Sequence, residues 1–443
     1  MTDKNQTVSA GKFGKKGLIV IVIVFISYFF GQALGNAGIA NTVVPAMVEL
    51  RGLDYNTITA WMTYAGWISI PFIILWARLG EKIGPKKVGM ISLACAIVGT
   101  LLFGTAASNV QLIIGLLINF ISLYGFFLYF GPALIANWFP QKRGIALGWA
   151  TMGLVCVDIV WTPYIAKVIY ALNPTVTFVI VAICIAVFIA AVAILVKDKP
   201  EDAGAFPDNI EHPDENVQLI SKIDKVYKSD WTIPKLLRHK ETWIVGIIGG
   251  ILWMCGSGPI VTFYARMSGF GYEDLFISTA FQSVAVFSLF GSWLYGFIDV
   301  KLGTKKAYLL CGCIVFVGVL LMFFAAPVSK VGMYIGIVCL GSSIGGAPNL
   351  LASMQTCVWG RWDFSASNKI INPIAMIILN SNFLLISLSL SKLGNYNLFF
   401  AFLLILTAIA IVMILLFKVR SLGKSDEEVM QMYPPESFAQ EQS

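Results

Sequence analysis

Asp158 is the only acidic residue well inside one of the long apolar stretches of this chain, which makes it the first candidate for chemistry. A charged, unpaired carboxylate at a bilayer centre costs at least about 2.5 kcal/mol, so such a group is a functional candidate by default. Three roles fit it: a proton-coupling acid that titrates as its access alternates, a counter-charge for a cationic solute, or a structural acid bonded between helices. Lys369, about 6 Å into a later stretch, is the nearest thing to an intramembrane base. It could bind a substrate carboxylate, or extend its amine to the headgroups. Asp158 lies roughly 21 Å into its own stretch counted from Gly144, so the two charges differ by roughly 15 Å in depth and can act in turn.

Uncharged polar residues extend the list. Tyr28, Gln32 and Asn36 recur at four-residue intervals, which stacks three hydrogen-bonding side chains on one helix face, either lining a cavity or bonding helix to helix. Tyr124 and Tyr129 lie beside Asn119 and Ser122, Trp253 near Ser257, and Asn349 just after a Gly345-Gly-Ala-Pro348 sequence that can break a helix or pack it closely. Aromatics with a few polar tips suit a small organic solute. Arg266 could meet an anion or cap a helix C-terminus. Neither histidine, His212 or His239, falls in an apolar stretch, and no carboxylate pair or nucleotide phosphate loop occurs. An enzyme and an ATP-driven pump are therefore excluded, and neither a catalytic residue, a metal nor a cofactor is expected.

The elements that must position these residues follow from composition. Of 443 residues, 58% are hydrophobic and 12% charged, with a mean hydropathy of +0.80. No soluble domain can bury that much apolar surface, so the chain is an all-α integral membrane protein. Apolar runs long enough to cross roughly 30 Å of hydrocarbon predict helices over 17–45, 56–79, 87–107, 110–138, 144–168, 176–196, 242–266, 275–299, 306–326, 331–358, 365–391 and 396–417. The expected organisation is a cytosolic N-terminal tail (1–16), a six-helix bundle (17–196), a central cytosolic loop (197–241), a second six-helix bundle (242–417) and a cytosolic C-terminal tail (418–443). With the termini inside, 26 Lys and Arg fall on the inner side and five on the outer. The net charge of +7 is then topology and contact with anionic lipid, not a nucleic-acid surface. All eight cysteines lie in predicted spans, where a thiol acts as a small apolar group. The segment Trp231 to Lys240 mixes apolar and basic residues, and reads either as a surface helix on the inner leaflet or as a solvated connector.

An internal repeat joins the halves. The second and third spans are linked by Leu79-Gly-Glu-Lys-Ile-Gly-Pro-Lys-Lys87 in the first half and by Gly296-Phe-Ile-Asp-Val-Lys-Leu-Gly-Thr-Lys-Lys306 in the second. In this the chain resembles the major facilitator superfamily, whose loop signature Glu81, Lys82 and Gly84 approximate, with Asp299 one position early in the second half. The acid can receive basic side chains or a helix N-terminus and lock one conformation; the basic residues alone can also act as an inner-face anchor. Asn137-Trp-Phe-Pro-Gln-Lys-Arg-Gly144 resembles the corresponding loop of the oxalate/formate antiporter family and its monocarboxylate-transporter relatives, with Lys142 and Arg143 holding the turn inside. Carriers of that branch commonly place an arginine inside span eight, where this chain has Gln282.

The resemblance implies the major facilitator fold, twelve transmembrane helices in two pseudo-symmetric six-helix bundles, with spans 1, 4, 7 and 10 lining a central cavity and spans 2, 5, 8 and 11 closing the interface. It implies a secondary active transporter of a mono- or dicarboxylate, working by alternating access with proton coupling or exchange. The substrate-binding residues would be Tyr28, Gln32, Asn36, Tyr124, Tyr129, Trp253, Asn349 and Lys369, with Asp158 coupling protons and Glu81, Lys82, Gly84, Lys142 and Arg143 in the gating loops. A zwitterionic or quaternary-amine solute held by aromatics and Asp158 stays open, as does a solute sensor that does not transport. The expected partners are the solute, protons or a counter-substrate, and membrane lipids. The expected setting is a monomer in a prokaryotic cell membrane with both termini cytoplasmic.

Overall fold

The structure, a computed structural model, describes residues 13–35, 43–139, 143–210, 223, 226–360 and 362–434. Its regular structure in these segments is all helical. The long helices are α1 (Gly14–Gly35), α2 (Tyr55–Ile83), α3 (Pro85–Gly104), α4 (Asn109–Trp138), α5 (residues 143–172), α6 (Pro174–Leu195), α7 (Lys240–Val261), α8 (Asp274–Leu302), α9 (Thr304–Ala325), α10 (Lys330–Trp359), α11 (Phe364–Leu393) and α12 (Asn397–Leu416). All but α5 are individually long and apolar enough to cross a membrane; α5 reaches that length through a π-helical turn, Val157–Trp161, that joins two α-helical pieces.

Helix ends follow local chemistry. Asp54 caps α2 by accepting the Thr57 N–H at 2.7 Å, and hydrogen bonding from the Thr57 hydroxyl and then from that N–H holds its carboxyl below the usual aspartate range. Asn173 caps α6 through the Val176 N–H at 3.1 Å, and Ser329 caps α10 through Gly332 at 3.2 Å. The expected ends lie within four residues of these helices except after span one, where a separate short helix, Val44–Arg51, runs on to Gly52, and at the end of span seven, where α7 stops at Val261 and a short helix, Phe263–Gly269, follows. Of the two readings of Gly345-Gly-Ala-Pro348, a helix break or close packing, the break is absent. The helix is continuous through Gly345 and Pro348, and Gly345 instead lets the backbone of Ser288 in α8 approach closely.

Packing in the two halves is matched. α1 lies on α5 as α7 lies on α11; α2 on α4 as α8 on α10; α3 on α6 as α9 on α12. The turns repeat in detail. Gly84 and Gly303 take φ of 86° and 87°, a region that favours glycine, and each releases the chain into the next helix. Two residues on, Lys86 donates to Ala193 O near the end of α6 at 2.6 Å, and Lys305 donates to Leu415 O near the end of α12 at 3.0 Å. A cation at a helix C-terminus is favourable, so each turn is pinned to the last helix of its half. These turns, with Lys15, Lys16, Lys418 and Arg420, define a basic face.

Candidate translocation site

The halves meet along two pseudo-equivalent seams, α2 with α11 and α5 with α8. The first is antiparallel and keeps its register: Ser387 Oγ donates to Asn56 O at 3.3 Å, Thr63 Oγ1 to Asn380 O at 2.7 Å, and Trp67 Nε1 to Ile377 O at 2.9 Å. From Asn56 to Trp67 it runs roughly 16 Å, from the face opposite the basic one to the middle of both helices. The Asn380 side chain sits against Gly66, where a Cβ would come 2.5 Å from its Cγ, and its Nδ2 donates to Tyr124 Oη at 3.3 Å. Tyr124 in turn donates to Gly66 O at 3.4 Å, so α2, α4 and α11 share one buried polar node.

Around this node Trp67, Ile70, Tyr124, Trp253, Met376 and Leu379 form a common cluster, which brings together two expected residues, Tyr124 of α4 and Trp253 of α7. Lys369 lies on the same stripe of α11. Steps of seven and eleven residues, at about 100° each, bring Met376 and Asn380 to within roughly 20° of it. Lys369 is exposed, roughly 16 Å closer to the basic face than Asn380. The stripe is therefore covered at the node and uncovered below it.

Other expected residues sit elsewhere. Tyr28 is buried edge-to-face against Phe127 of α4, with ring centroids 5.1 Å apart, and Tyr129 is apposed to Gly80 of α2. Asn349 donates to Ser292 Oγ at 2.7 Å, joining α10 to α8, and is itself exposed. Arg266 is buried; it donates to Met322 O at 2.5 Å and Phe323 O at 3.3 Å and stacks over Phe400, which fastens the π-helical end of α9. Asn36 and Lys142 lie outside the described residues, as do the side chains of Gln32, Glu81, Arg143 and Asp158; Lys82 is exposed.

The backbone of Asp158 belongs to the π-helical turn of α5, which packs against α1 and against α8 of the other half. A second π-helical turn, Tyr124–Phe130, occupies the middle of α4 and carries Tyr124 at its start. Such turns occur frequently at functional sites because they displace side chains from the regular α-helical positions. Neither has a hydrophobic-period signal that sequence reading could detect. Asn380, Thr63 and Trp67 also escaped it; the clue was a run of amides, Asn380-Ser-Asn382, in the middle of an apolar helix.

The loop acids act through less local partners than the motif suggests. Asp198, beyond α6, accepts the Lys86 N–H at 2.7 Å beside Gly84. In the other half Asp299 accepts Thr304 Oγ1 at 2.5 Å and bonds Ser353 of α10. The Asn137-Trp138 pair is tied to the same place, Asn137 to Asp198 O at 3.1 Å and Trp138 Nε1 to Lys197 O at 3.0 Å.

Comparison with known proteins agrees with this architecture. A stretch of 91 residues is 35% identical to a nitrate/nitrite transporter of Picosynechococcus sp., covering 19% of this chain and 17% of that protein. The family model described as Major Facilitator Superfamily matches residues 20–359, well over half the chain. Twelve paired helices among the described residues, two seams and a matching family model lead to one conclusion: the chain is a multi-pass membrane protein that belongs to the major facilitator superfamily, a family of transporters.

Proposed function

We propose that this carrier moves a small organic anion of the mono- or dicarboxylate class across the cytoplasmic membrane, with its basic face and both termini in the cytoplasm. The observation that carries this reading is Lys369, a fixed cation exposed on the α11 stripe that leads to the Asn380 node. A solute anion entering from the basic face would meet that amine before it reached Tyr124, Trp253 and Asn380. The loop of residues 137–144 supports the carboxylate class. The partial similarity to a nitrate/nitrite transporter supports a small planar anion more broadly.

In this reading the closed α2–α11 seam is the barrier to the outside. Passage to the outward-open state breaks the bonds of Thr63, Trp67 and Ser387 and separates Asn380 from Tyr124, each worth about 1 kcal/mol net. New contacts near the basic face must offset that loss for the two states to interconvert. Asp158, on the turn between α1 and α8, stands at the second seam, where its access to the two sides would alternate. It is the proposed coupling acid if protons drive the cycle; exchange against a counter-anion needs no such group.

A second reading, a zwitterion or quaternary amine, draws on the gathering of Trp67, Tyr124 and Trp253, since cations sit well over such rings. Uptake into proteoliposomes separates the two. Labelled formate, oxalate and nitrate are compared with betaine and choline under imposed pH and voltage gradients. Uptake of the carboxylates is expected, weakened in Lys369→Gln and retained in Lys369→Arg. Uptake of the amines alone would overturn the anion assignment and leave the carrier fold untouched.

A further inference from the structure

On the basic face, away from both seams, the start of α7 and the end of α12 enclose a cleft of about 290 Å³. Its rim carries three exposed cations, Lys240, Lys418 and Arg420, and its wall is apolar, formed by Ile244, Met413 and Leu416 with Phe417. One carboxylate also lines it: Glu241, which is buried and lies 3.7 Å from His239 Nδ1. Three cations thus face one acid that already has a neighbour. A fourth cation, Lys305, is engaged nearby on Leu415 O.

The surroundings fix the depth of this cleft. Val412, Leu415 and Leu416 project outward, 52%, 55% and 76% exposed, on a helix that packs only on α7, α9 and α11 of its own half among the larger contacts of the described residues. Such a surface must lie in hydrocarbon. At the same level Trp243 is exposed, with its indole N–H donating to Leu237 O at 2.9 Å. The short helix Ile233–Arg238 holds Ile233 and Leu237 outward, while Lys235 covers the Trp231 ring at 4.4 Å. Tryptophans and short amphipathic segments mark the headgroup level. The rim therefore lies among headgroups and the wall among acyl chains.

We propose that this cleft is a binding site for an anionic phospholipid, its phosphate held by Lys240, Lys418 and Arg420 and the upper part of one acyl chain laid along Ile244, Met413 and Leu416. Charge complementarity selects a lipid with net negative charge over a zwitterionic one. The continuous apolar wall selects a lipid over a free phosphate. Since Leu415 O also receives Lys305 of the α8–α9 turn, an occupant would rest on the last helix of the half at the point where that turn is pinned. This inference is independent of the solute that the carrier moves.

The test is binding of phosphatidylglycerol to the purified full-length protein, read by native mass spectrometry and by lipid-exchange titration in nanodiscs, with phosphatidylcholine as the zwitterionic probe. The variant is Lys240→Gln/Lys418→Gln/Arg420→Gln. Its control is Lys87→Gln/Lys199→Gln/Lys228→Gln, the same charge removed from elsewhere on the basic face. Each cation near an anionic headgroup contributes a factor of about five, so the cleft variant should lose on the order of a hundredfold in phosphatidylglycerol affinity and the control about fivefold or less. Glycerol phosphate in excess should not displace the lipid. Equal losses in the two variants, equal binding of phosphatidylcholine, or displacement by glycerol phosphate would each overturn the proposal. Lys418→Gln alone, expected to lose about fivefold where Lys228→Gln alone loses little, keeps the test decisive should the triple variant fold poorly, and equal losses in these two single variants would overturn the proposal.

Discussion

Asn380 of α11 donates to the hydroxyl of Tyr124 in α4 at 3.3 Å, across the boundary between the halves, while its side chain occupies the space beside Gly66 in α2. A carbon added at Gly66 would lie 2.5 Å from Asn380 Cγ, closer than any tolerable contact. Gly66→Ala should therefore expel the amide and weaken the closed seam. The expected effect is about 1–2 kcal/mol against the closed state, a shift of roughly five- to thirtyfold in the conformational ratio. Spin labels at Asn56 and Ser387, whose contact ends the seam, should report a longer distance. An unchanged distance distribution would show that the node does not hold the seam.

Lys369 should act on affinity rather than on the rate of the conformational step. In Lys369→Gln the apparent KM for carboxylates should rise about tenfold, with maximal flux little changed, as expected for a group that holds substrate equally throughout. Lys369→Arg should restore most of the affinity. A matched fall in flux for every solute, anionic or not, would instead assign the residue to folding or gating.

The helices were legible because continuous apolar runs have one solution in lipid, and the repeated basic turns placed the pseudo-symmetry. What escaped was set by partners far away in sequence. Asp198 lies more than a hundred residues beyond Lys86, the backbone group it binds, so no reading of the local loop could reach it. The regular spacing of Tyr28, Gln32 and Asn36 predicted one polar face; the Tyr28 ring packs edge-to-face on Phe127, while Asn36 and the Gln32 side chain lie outside the described residues. Gly345 could be read as a helix break or as a point of close packing, and what α8 presents opposite it decides for close packing. Asn380 gains its meaning only from Gly66 and Tyr124.

The acid at each pseudo-equivalent turn should stabilise it independently. Asp299→Asn weakens the bonds to Thr304 and Ser353 without adding volume, and Asp198→Asn does the same for the Lys86 N–H. Each should cost about 1–2 kcal/mol. The double variant should show additive losses, because the two turns lie in different halves and share no partner. Thermal unfolding in one detergent checks both points, and strong coupling between the sites would contradict the separation.

The C-terminal segment is tethered by charge. Lys424 Nζ meets Asp230 Oδ2 at 2.6 Å, and the bond lowers the Asp230 pKa from 3.8 and raises that of Lys424 from 10.5. For the lowered acid, the added stability is full above its unfolded value and disappears as pH falls through its folded one; for the raised amine, it is full below its unfolded value and lost as pH rises through the folded one. Docking of the short helix Asp426–Met432 should thus be uniform across neutral pH and loosen only at the extremes. Asp230→Asn should raise hydrogen exchange in that helix at pH 7 and remove the acid-side dependence. Since Asp230 is exposed and Lys424 partly so, the effect should be small and should shrink in high salt.

Asp158 provides the test of coupling. Its turn packs between α1 and α8, at the seam that mirrors α2 with α11, so one state of the cycle should hydrate it from the basic face and the other from the opposite face. A carboxyl that binds a proton on one side and releases it on the other moves with the solute in the stoichiometry of the cycle. Asp158→Asn has the same volume and cannot release that proton. It should abolish accumulation driven by a pH gradient while leaving exchange of preloaded substrate at close to its normal rate, because exchange needs only the loaded halves of the cycle. Loss of both activities in a well-folded variant would make the acid a substrate or packing group. Retention of both would remove it from the mechanism and leave counter-anion flow as the driving force.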